Sequence, residues 1–214
     1  MTVPALELTQ FTVTEPAPGY WRATFDHPPT NLMNAVTAAE LRAIVEAAEE
    51  AGDLRVLVLD SASDEYFFAR YDLSAGPLPS DPGPTGLPIF LDTTVRLSLL
   101  PAISIAQIRG RARGGGNELA LACDLRYAAL ETAVLGQPEI GSALVPAGGG
   151  LERLVPLVGR SRALEMLRAR ASCPRLSACA RRRGAWARTS TWTWASTSGQ
   201  PTRTRAPDHA TFGS

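Results

Sequence analysis

Lysine is absent from the chain. All 21 basic residues are arginine, they are matched by 21 acidic residues, and only two histidines are present. The resulting net charge of zero offers no reason to expect nucleic acid or an anionic membrane as a partner. Two histidines are too few to favour a histidine-based metal site or catalytic triad, and no apolar run approaches the roughly 18 residues of a membrane-spanning helix. These absences predict a globular protein with neither nucleic acid nor membrane as its partner.

Cysteine is also scarce, at three residues. Cys123 lies in an apolar run and is predicted to be a small buried hydrophobic residue. Cys173 and Cys179 are too far apart for the C-x-x-C spacing of a zinc site, and His209 alone does not complete one, so no metal is expected. The first residues lack the basic stretch followed by an apolar stretch that marks a secretory signal. A cytoplasmic location is therefore expected.

Short apolar runs alternate with helical patterns through most of the chain. Strands are predicted at residues 20–26, 55–60, 103–108, 125–129 and 133–135. Helices are predicted at residues 41–51, 89–100, 117–123, 151–157 and 161–168. This alternation favours an α/β fold with largely parallel strand pairing.

Two local patterns refine this prediction. Thr37 and Glu40 have the spacing of a capping box, which predicts that Thr37 caps the first helix. Residues 75–88 hold five prolines and three glycines, which neither a helix nor a strand interior tolerates. That segment is therefore predicted to be a surface loop.

The composition changes after residue 170. Residues 171–214 contain three of the four tryptophans and seven arginines against one acidic residue, whereas residues 1–170 contain 14 arginines against 20 acidic residues. No helical or strand period runs through residues 171–214. We therefore expect one domain over residues 1–170 and an irregular, disordered tail over residues 171–214. Our hypothesis is that the tail is read in a shifted frame; a natural disordered basic tail is the alternative.

Three consecutive glycines, residues 114–116, precede one of the predicted helices. Alone, such a run is more often a tight turn than a site. A G-x-G-x-x-G loop starting at Gly110 would need glycine where Ala112 stands, a P-loop needs lysine, and no G-x-S-x-G elbow occurs. The run does supply a strand, a turn without side chains and a helix start. The first backbone N–H groups of a helix lack acceptors and suit an oxyanion.

Two glutamates lie near such segments. Glu118 is about one helical turn beyond the glycines, where it can face the same opening or can merely favour the helix dipole. Glu139 follows Pro138 at the end of a predicted strand, where the sites of α/β folds collect, or it is a solvated loop residue. For each glutamate taken singly, the structural role is the simpler interpretation.

Four segments together keep the order and the separations of one family's motifs. The sequence FFARYDL at residues 67–73 is similar to F-x-A-G-x-D-L, and GRARGGGNELALACD at residues 110–124 is similar to G-x-A-x-GGG-x-E-L-A-x-x-C-D. GQPEI at residues 136–140, followed by PAGGG, is similar to G-Q-P-E-I and P-G-x-G-G, and residues 31–35 are similar to the N-A-L-N/D-x start. By these motifs, residues 20–168 resemble the crotonase (enoyl-CoA hydratase/isomerase) superfamily.

The resemblance implies a fold, a substrate and a chemistry. The fold would be a spiral of ββα turns, and the substrate an acyl thioester of coenzyme A, with no cofactor apart from the CoA of the substrate. The backbone N–H groups of Ala69 and Gly115 would form an oxyanion hole around the thioester carbonyl. Glu118 would deprotonate the water that attacks C3, and a protonated Glu139 would deliver a proton to C2. Because both glutamates are present, the predicted function is that of an enoyl-CoA hydratase-like lyase.

The matched segments also imply substrate contacts and contain departures from the family pattern. The implied contacts are Phe68, Arg70, Tyr71, Asp72, Gly114 and Pro138. Arg70 and Tyr71 replace the usual Gly-Ala pair, and Ala147 stands where glycine usually follows Pro146. The side chain of Arg70 could contact a phosphate or a carboxylate, or it could point into solvent.

The resemblance implies a homotrimer or hexamer. The family's final helical segment, which closes the acyl pocket and builds the trimer contacts, has no recognisable counterpart after about residue 170. Two alternatives to hydration therefore stay open. One is another reaction of the superfamily, namely isomerisation, thioester hydrolysis or C–C cleavage. The other is a truncated, non-catalytic protein that binds CoA esters.

Overall fold

A computed structural model of the chain describes residues 3–78 and 81–168. The strands are β1 (Phe11–Ala17), β2 (Tyr20–Phe25), β3 (Leu32–Met33), β4 (Val56–Ser61), β5 (Arg70–Tyr71), β6 (Ile103–Ile108), β7 (Arg111–Arg113), β8 (Leu125–Ala128) and β9 (Val134–Gly136). The helices are α1 (Ala35–Glu50), α2 (Ile89–Leu97), α3 (Gly115–Ala122), α4 (Gly150–Val158) and α5 (Arg160–Arg168). The predicted tail, with Cys173, Cys179 and His209, lies outside the described residues.

After β1, the chain repeats one unit four times. Each unit has a strand of the main sheet (β2, β4, β6, β8), then a short strand (β3, β5, β7, β9), then a helix (α1 to α4). The main sheet has the order β1-β2-β4-β6-β8, with β1 antiparallel to β2 and the other pairs parallel. The short strands form two parallel pairs, β3 with β5 and β7 with β9. This arrangement confirms the α/β class and the spiral of ββα turns.

The main sheet is stabilised by burial that follows its sequence pattern. Trp21, Ala23 and Phe25 alternate along β2 and point into the core, as a strand with one buried face requires. β4 is buried at nearly every position, which agrees with its continuous apolar run. Cys123 is buried as predicted, and its thiol lies 3.5 Å from the carbonyl of Leu119.

The start of α1 differs from the prediction. The helix is capped by Asn34, whose side-chain oxygen accepts from the Thr37 amide at 3.0 Å, while the Thr37 hydroxyl accepts from the Asn34 amide at 3.0 Å. Thr37 is therefore the third helical residue and not the cap. Glu40 accepts instead from the amides of Thr9 and Gln10, at 2.7 and 2.9 Å. These contacts join segments 30 residues apart, which local spacing could not reveal.

Helix α2 is anchored to its surroundings on one side by α1 and on the other by the loop before it. The Arg96 guanidinium donates to Glu46 and Glu49 of α1, each at 3.0 Å. The Asp92 carboxylate accepts from the amide of Thr85 at 2.9 Å, which fastens the proline- and glycine-rich loop to the helix.

No helix in the described part of the chain is both long and apolar enough to cross a membrane.

Candidate active site

Helix α3 begins at Gly115, two residues earlier than predicted, with Gly114 as its cap. Gly114 has φ +53°, a left-handed conformation that favours glycine, and its amide donates to the Gly136 carbonyl at 3.0 Å. A side chain at position 114 would begin 2.9 Å from the Glu139 carboxylate. Glycine at position 114 therefore leaves room for the Glu139 carboxylate. The Gly115 amide is at the first helical position, so it has no acceptor within the helix.

The segment containing Ala69 lies directly against this turn. A Cβ atom on Gly116 would fall 1.8 Å from the Phe68 carbonyl oxygen, so the two backbones touch. The Arg113 amide donates to the Ala69 carbonyl at 3.2 Å. The structure thus places the segments of Ala69 and Gly115 side by side, as an oxyanion hole made from both requires.

The Ala69 amide itself is already engaged. It donates to the Asn31 carbonyl at 2.9 Å, a partner that the sequence analysis did not identify. Asn31 is buried, has φ +48°, and donates from its side chain to the Ser61 hydroxyl at 2.8 Å. Asn31 therefore fixes the position of the Ala69 segment, a role that its side-chain type alone did not reveal.

Glu118 is 3% exposed and faces the turn between β9 and α4. Its Oε1 atom accepts the amides of Gly148 and Gly150 at 2.8 and 3.0 Å. These amides lie at the start of α4, so Glu118 caps that helix rather than merely favouring the dipole of its own. Oε2 lies 2.8 Å from the point that a side chain on Gly148 would occupy.

Burial raises the pKa of Glu118 to about 7. The amides of Gly150 and Gly148 oppose this shift because they favour the ionised carboxylate, and the negative charges of Glu139 and Glu152 add to it. A group with this pKa can be a base or an acid at neutral pH.

Glu139 begins a short 3-10 turn, Glu139–Ser142, directly after β9 and Pro138. Its Oε1 atom accepts from the Gln137 side chain at 3.0 Å, and Oε2 is buried without a hydrogen bond among the described residues. Gln137 is 0% exposed and accepts in turn from the side chain of Asn117. Sequence reasoning missed Gln137 and Asn117, although each lies beside a predicted glutamate.

Burial also raises the pKa of Glu139, against the opposing effects of its own backbone, of Gln137 and of the charge on Arg113. Since burial raises the pKa of both groups, the expectation that Glu118 acts as the base and a protonated Glu139 as the acid stays a prediction. The two acids lie close to each other. A Cβ atom placed on Gly150 would lie 2.9 Å from Glu118 Oε1 and 3.0 Å from Gln137 Nε2. Gln137 Nε2 is the atom that donates to Glu139.

Two residues that the resemblance implies as substrate contacts, Phe68 and Asp72, have side chains that contact other parts of the protein. The Phe68 side chain is fully buried and stacks on Phe25, with ring centroids 4.4 Å apart, so it belongs to the core. Asp72 caps a short turn, where it accepts from the Ser74 hydroxyl at 2.6 Å and from the Ser74 amide at 2.9 Å. These two bonds hold the pKa of this carboxyl below its ordinary value. Core packing and a local turn occupy these two side chains, and the implied substrate contacts stay predictions.

Other predicted contacts lie at the edge of the site. Arg70 is exposed, and its Cβ atom is 3.8 Å from the point that a side chain on Gly114 would occupy. The Tyr71 hydroxyl donates to the Gly76 carbonyl at 2.7 Å and holds the start of the loop. Pro138, directly before Glu139, has φ −86°. It therefore positions the acid through the backbone.

Two apolar side chains that sequence reasoning missed complete the site. The Met33 sulfur and the Phe90 ring lie 3.2 and 3.6 Å from the point that a side chain on Gly115 would occupy. Among the described residues, no three His, Cys, Asp or Glu side chains are grouped as a metal ion would require. The site thus combines one buried and one half-buried glutamate, backbone amides and an apolar wall.

The sequence from residue 19 to residue 178 matches the family model for enoyl-CoA hydratase/isomerase. The chain belongs to the enoyl-CoA hydratase/isomerase family. The Bacillus subtilis family member YngF is 39% identical over 138 residues, which are 64% of this chain and 53% of YngF. The short-chain-enoyl-CoA hydratase of Clostridium acetobutylicum is 32% identical over 142 residues, which are 64% of this chain and 52% of that enzyme.

A solved structure shares the family fold as well. A Thermobifida fusca enoyl-CoA hydratase family protein, solved in complex with CoA, superposes with a TM-score of 0.65 and 28% identity, over 76% of this chain and 65% of that one. This enoyl-CoA hydratase/isomerase family chain spans about half the length of the curated relatives that it matches.

Proposed function

We propose that this chain is an enoyl-CoA hydratase, which adds water across the 2,3 double bond of a 2-enoyl-CoA thioester. The observation that carries the proposal is the pair of glutamates beside the glycine turn. Glu118 is buried and held by amides at the start of α4, and Glu139 is half-buried and held by Gln137. A hydratase among the relatives and a CoA complex among the solved structures support it.

Polarisation of the thioester would come from backbone amides. Negative charge develops on the carbonyl oxygen when water attacks, and the Gly115 amide lies at the positive end of α3. A fixed donor at such an oxygen typically contributes about 2.7–4 kcal/mol to transition-state stabilisation. In the proposed complex the Ala69 amide exchanges the Asn31 carbonyl for the thioester oxygen and supplies the second donor.

The two glutamates would move the two protons. Ionised Glu118 takes a proton from water as the water oxygen bonds to C3, and the π electrons of the double bond pass to C2 and the thioester oxygen. Glu139 then gives its proton to C2, so one water is added and one carboxyl group has replaced the other as the proton carrier. Burial raises the pKa of both groups, which favours the protonated acid that the second step needs.

The test is hydration of crotonyl-CoA by the Glu118→Gln and Glu139→Gln variants, followed by loss of the conjugated enoyl thioester absorbance. Each variant is expected to lower kcat by about 10²–10⁴-fold, because each removes one proton-transfer group. The exposed Glu131 gives a matched control, since Glu131→Gln should leave the rate unchanged. Loss of activity from Glu139→Gln alone would favour isomerisation, and full activity in both variants would exclude the proposed mechanism.

The proposal also covers the oligomeric state of the protein and the ligands that it binds. It requires no cofactor beyond the CoA of the substrate, and it includes the homotrimer that the resemblance implies. Sedimentation with and without an acyl-CoA measures both properties. A monomer that binds no acyl-CoA saturably would support the non-catalytic alternative.

A further inference from the structure

The turn of residues 148–150, which holds Glu118, is itself held from its other side. The Gly148 carbonyl accepts from the Arg153 guanidinium at 3.1 Å and from the Thr94 hydroxyl at 2.9 Å. The amide of the same glycine donates to Glu118 at 2.8 Å. Gly148 is therefore bonded to Glu118 through its N–H group and to Arg153 and Thr94 through its carbonyl.

The Arg153 guanidinium joins this turn to helix α2. Its Nη2 atom donates to the Thr94 carbonyl at 3.1 Å, while Nη1 donates to Gly148 and lies 3.3 Å from the Thr94 hydroxyl. Thr94 is 0% exposed, so the contact is made inside the protein. A guanidinium presents its donors in a rigid planar fork, and here the fork binds one carbonyl of α2 and one of the turn. It therefore fixes the turn relative to α2.

The position of Arg153 is not one that its own helix favours. Arg153 lies near the start of α4, and its guanidinium points back to the carbonyl of Gly148, before the first helical residue. A cation at the N-terminal end of a helix opposes the helix dipole. Gly149 makes room for it, because a Cβ atom there would fall 1.9 Å from Arg153 Nη1. The contacts with Gly148 and Thr94 account for this position.

Three charged side chains act on Glu118. The negative charges of Glu139 and Glu152 add to the rise in its pKa that burial causes. Burial lowers the pKa of Arg153, and the charges of Glu152 and Glu118 oppose that shift. Because the attraction between Arg153 and Glu118 is mutual, the guanidinium favours the ionised carboxylate. Arg153 therefore supports an ionised Glu118 both by its charge and through the amides that it fixes.

We propose that Arg153 is a positioning residue, which holds the turn of residues 148–150 on α2 and thereby keeps Glu118 in place as the base. The inference rests on the proposed function, in which Glu118 takes a proton from water. Arg153 acts through Glu118 and not on the substrate. Removing the guanidinium should free the two amides to move from Glu118 and should remove a positive charge. Both changes disfavour the ionised carboxylate, so the pKa of Glu118 should rise.

The experiment follows the titration of Glu118 by ¹³C NMR of protein with labelled glutamate carboxyl groups, the signal being assigned by its absence in Glu118→Gln. In Arg153→Met the midpoint should move up by about 1 pH unit or more. In Arg153→Lys, which keeps the charge and loses the fork, it should move less. Arg109→Met is the matched control. Arg109 is also half-buried and donates to a backbone carbonyl, that of Ser61, so its loss should leave the Glu118 midpoint unchanged.

Hydration of crotonyl-CoA gives a second readout. The acidic limb of the kcat/KM profile should move to higher pH in the same order of variants, because ionised Glu118 is the base. If no variant and no wild-type protein hydrates the substrate, the proposed function fails, while the NMR titration still tests the role of Arg153. Thr94→Val, which removes one hydroxyl, should also raise the midpoint and serves if Arg153→Met does not fold.

The inference is overturned if Glu118 titrates at the wild-type pH in folded Arg153→Met, or in Thr94→Val where Arg153→Met does not fold. It is equally overturned if Arg109→Met moves the midpoint as far as Arg153→Met does, since loss of any arginine would then have the same effect.

Discussion

The Glu118 carboxylate in α3 accepts the backbone N–H of Gly148 at 2.8 Å, across 30 residues of sequence. The Gly150 amide bonds to the same oxygen at 3.0 Å, so both hydrogen bonds hold Oε1 at the start of α4. The contact also fixes where the acid points. Burial nevertheless dominates its titration and raises its pKa to about 7.

This pKa makes stability depend on pH. Because the pKa of Glu118 rises from 4.5 in a free side chain to about 7 in the folded chain, the folded state keeps a proton that the unfolded state has lost. The free energy of unfolding should therefore fall as pH rises through this window, by about 1.4 kcal/mol per unit and on the order of 3 kcal/mol in total. Urea unfolding between pH 5 and 8 measures the slope.

The Glu118→Gln variant supplies the comparison. A glutamine at this position accepts the same two amides but has no proton to lose, so the variant should gain stability relative to wild type as the pH rises from 5 to 8. Parallel profiles for the two proteins would mean that Glu118 is not protonated in the folded chain. The Glu131→Gln variant controls for loss of one acidic residue at an exposed position.

A second prediction concerns Gln137, which donates to Glu139 at 3.0 Å. This hydrogen bond favours the ionised carboxylate and opposes the rise in the pKa of Glu139 that burial causes. In Gln137→Leu the pKa of Glu139 should rise further. If Glu139 must be protonated to act, the alkaline limb of the kcat/KM profile for hydration should move to higher pH.

Two further results should accompany that shift. The Asn117 side chain loses its acceptor in the variant, and an unpaired buried donor costs about 1–3 kcal/mol of stability. Gln107 is exposed on β6, so Gln107→Leu should leave both the profile and the stability unchanged. An alkaline limb at the wild-type position in Gln137→Leu would show that Gln137 does not influence the proton donor.

The sequence predicted the features that depend on local pattern and could not predict those that depend on distant contacts. The runs that form β4 and β6 are apolar and bounded by breaking residues, so their positions were predicted within one residue. The cap of α1 was misplaced because Asn34 and Thr37 both have capping side chains. The choice depends on Glu40, which is bonded to Thr9 and Gln10 and is therefore unavailable as a capping partner.

The candidate site also has residues that the sequence could indicate and contacts that it could not. Glu118 and Glu139 were singled out because their motifs resemble a family. In the structure Glu139 lies beside Gly114 and Glu118 beside Gly148 and Gly150. Phe90 comes from another ββα unit, and nothing in its own neighbourhood of the sequence indicates that its ring touches Gly148. The engagement of the Ala69 amide by Asn31 is likewise a contact between distant residues.

The third prediction tests the contact between α3 and the Ala69 segment. A methyl group on Gly116 would fall 1.8 Å from the Phe68 carbonyl oxygen, which is backbone and cannot rotate away. Gly116→Ala should therefore lower the free energy of unfolding in urea by about 1–3 kcal/mol or more, as overpacked interiors do, and should reduce hydration because the Ala69 and Gly115 amides move apart. Gly52→Ala is the matched control. A side chain there meets no atom within 4 Å, so stability should stay equal or rise by about 0.4–1 kcal/mol. Equal stability of the two variants would contradict the close approach of the two backbones.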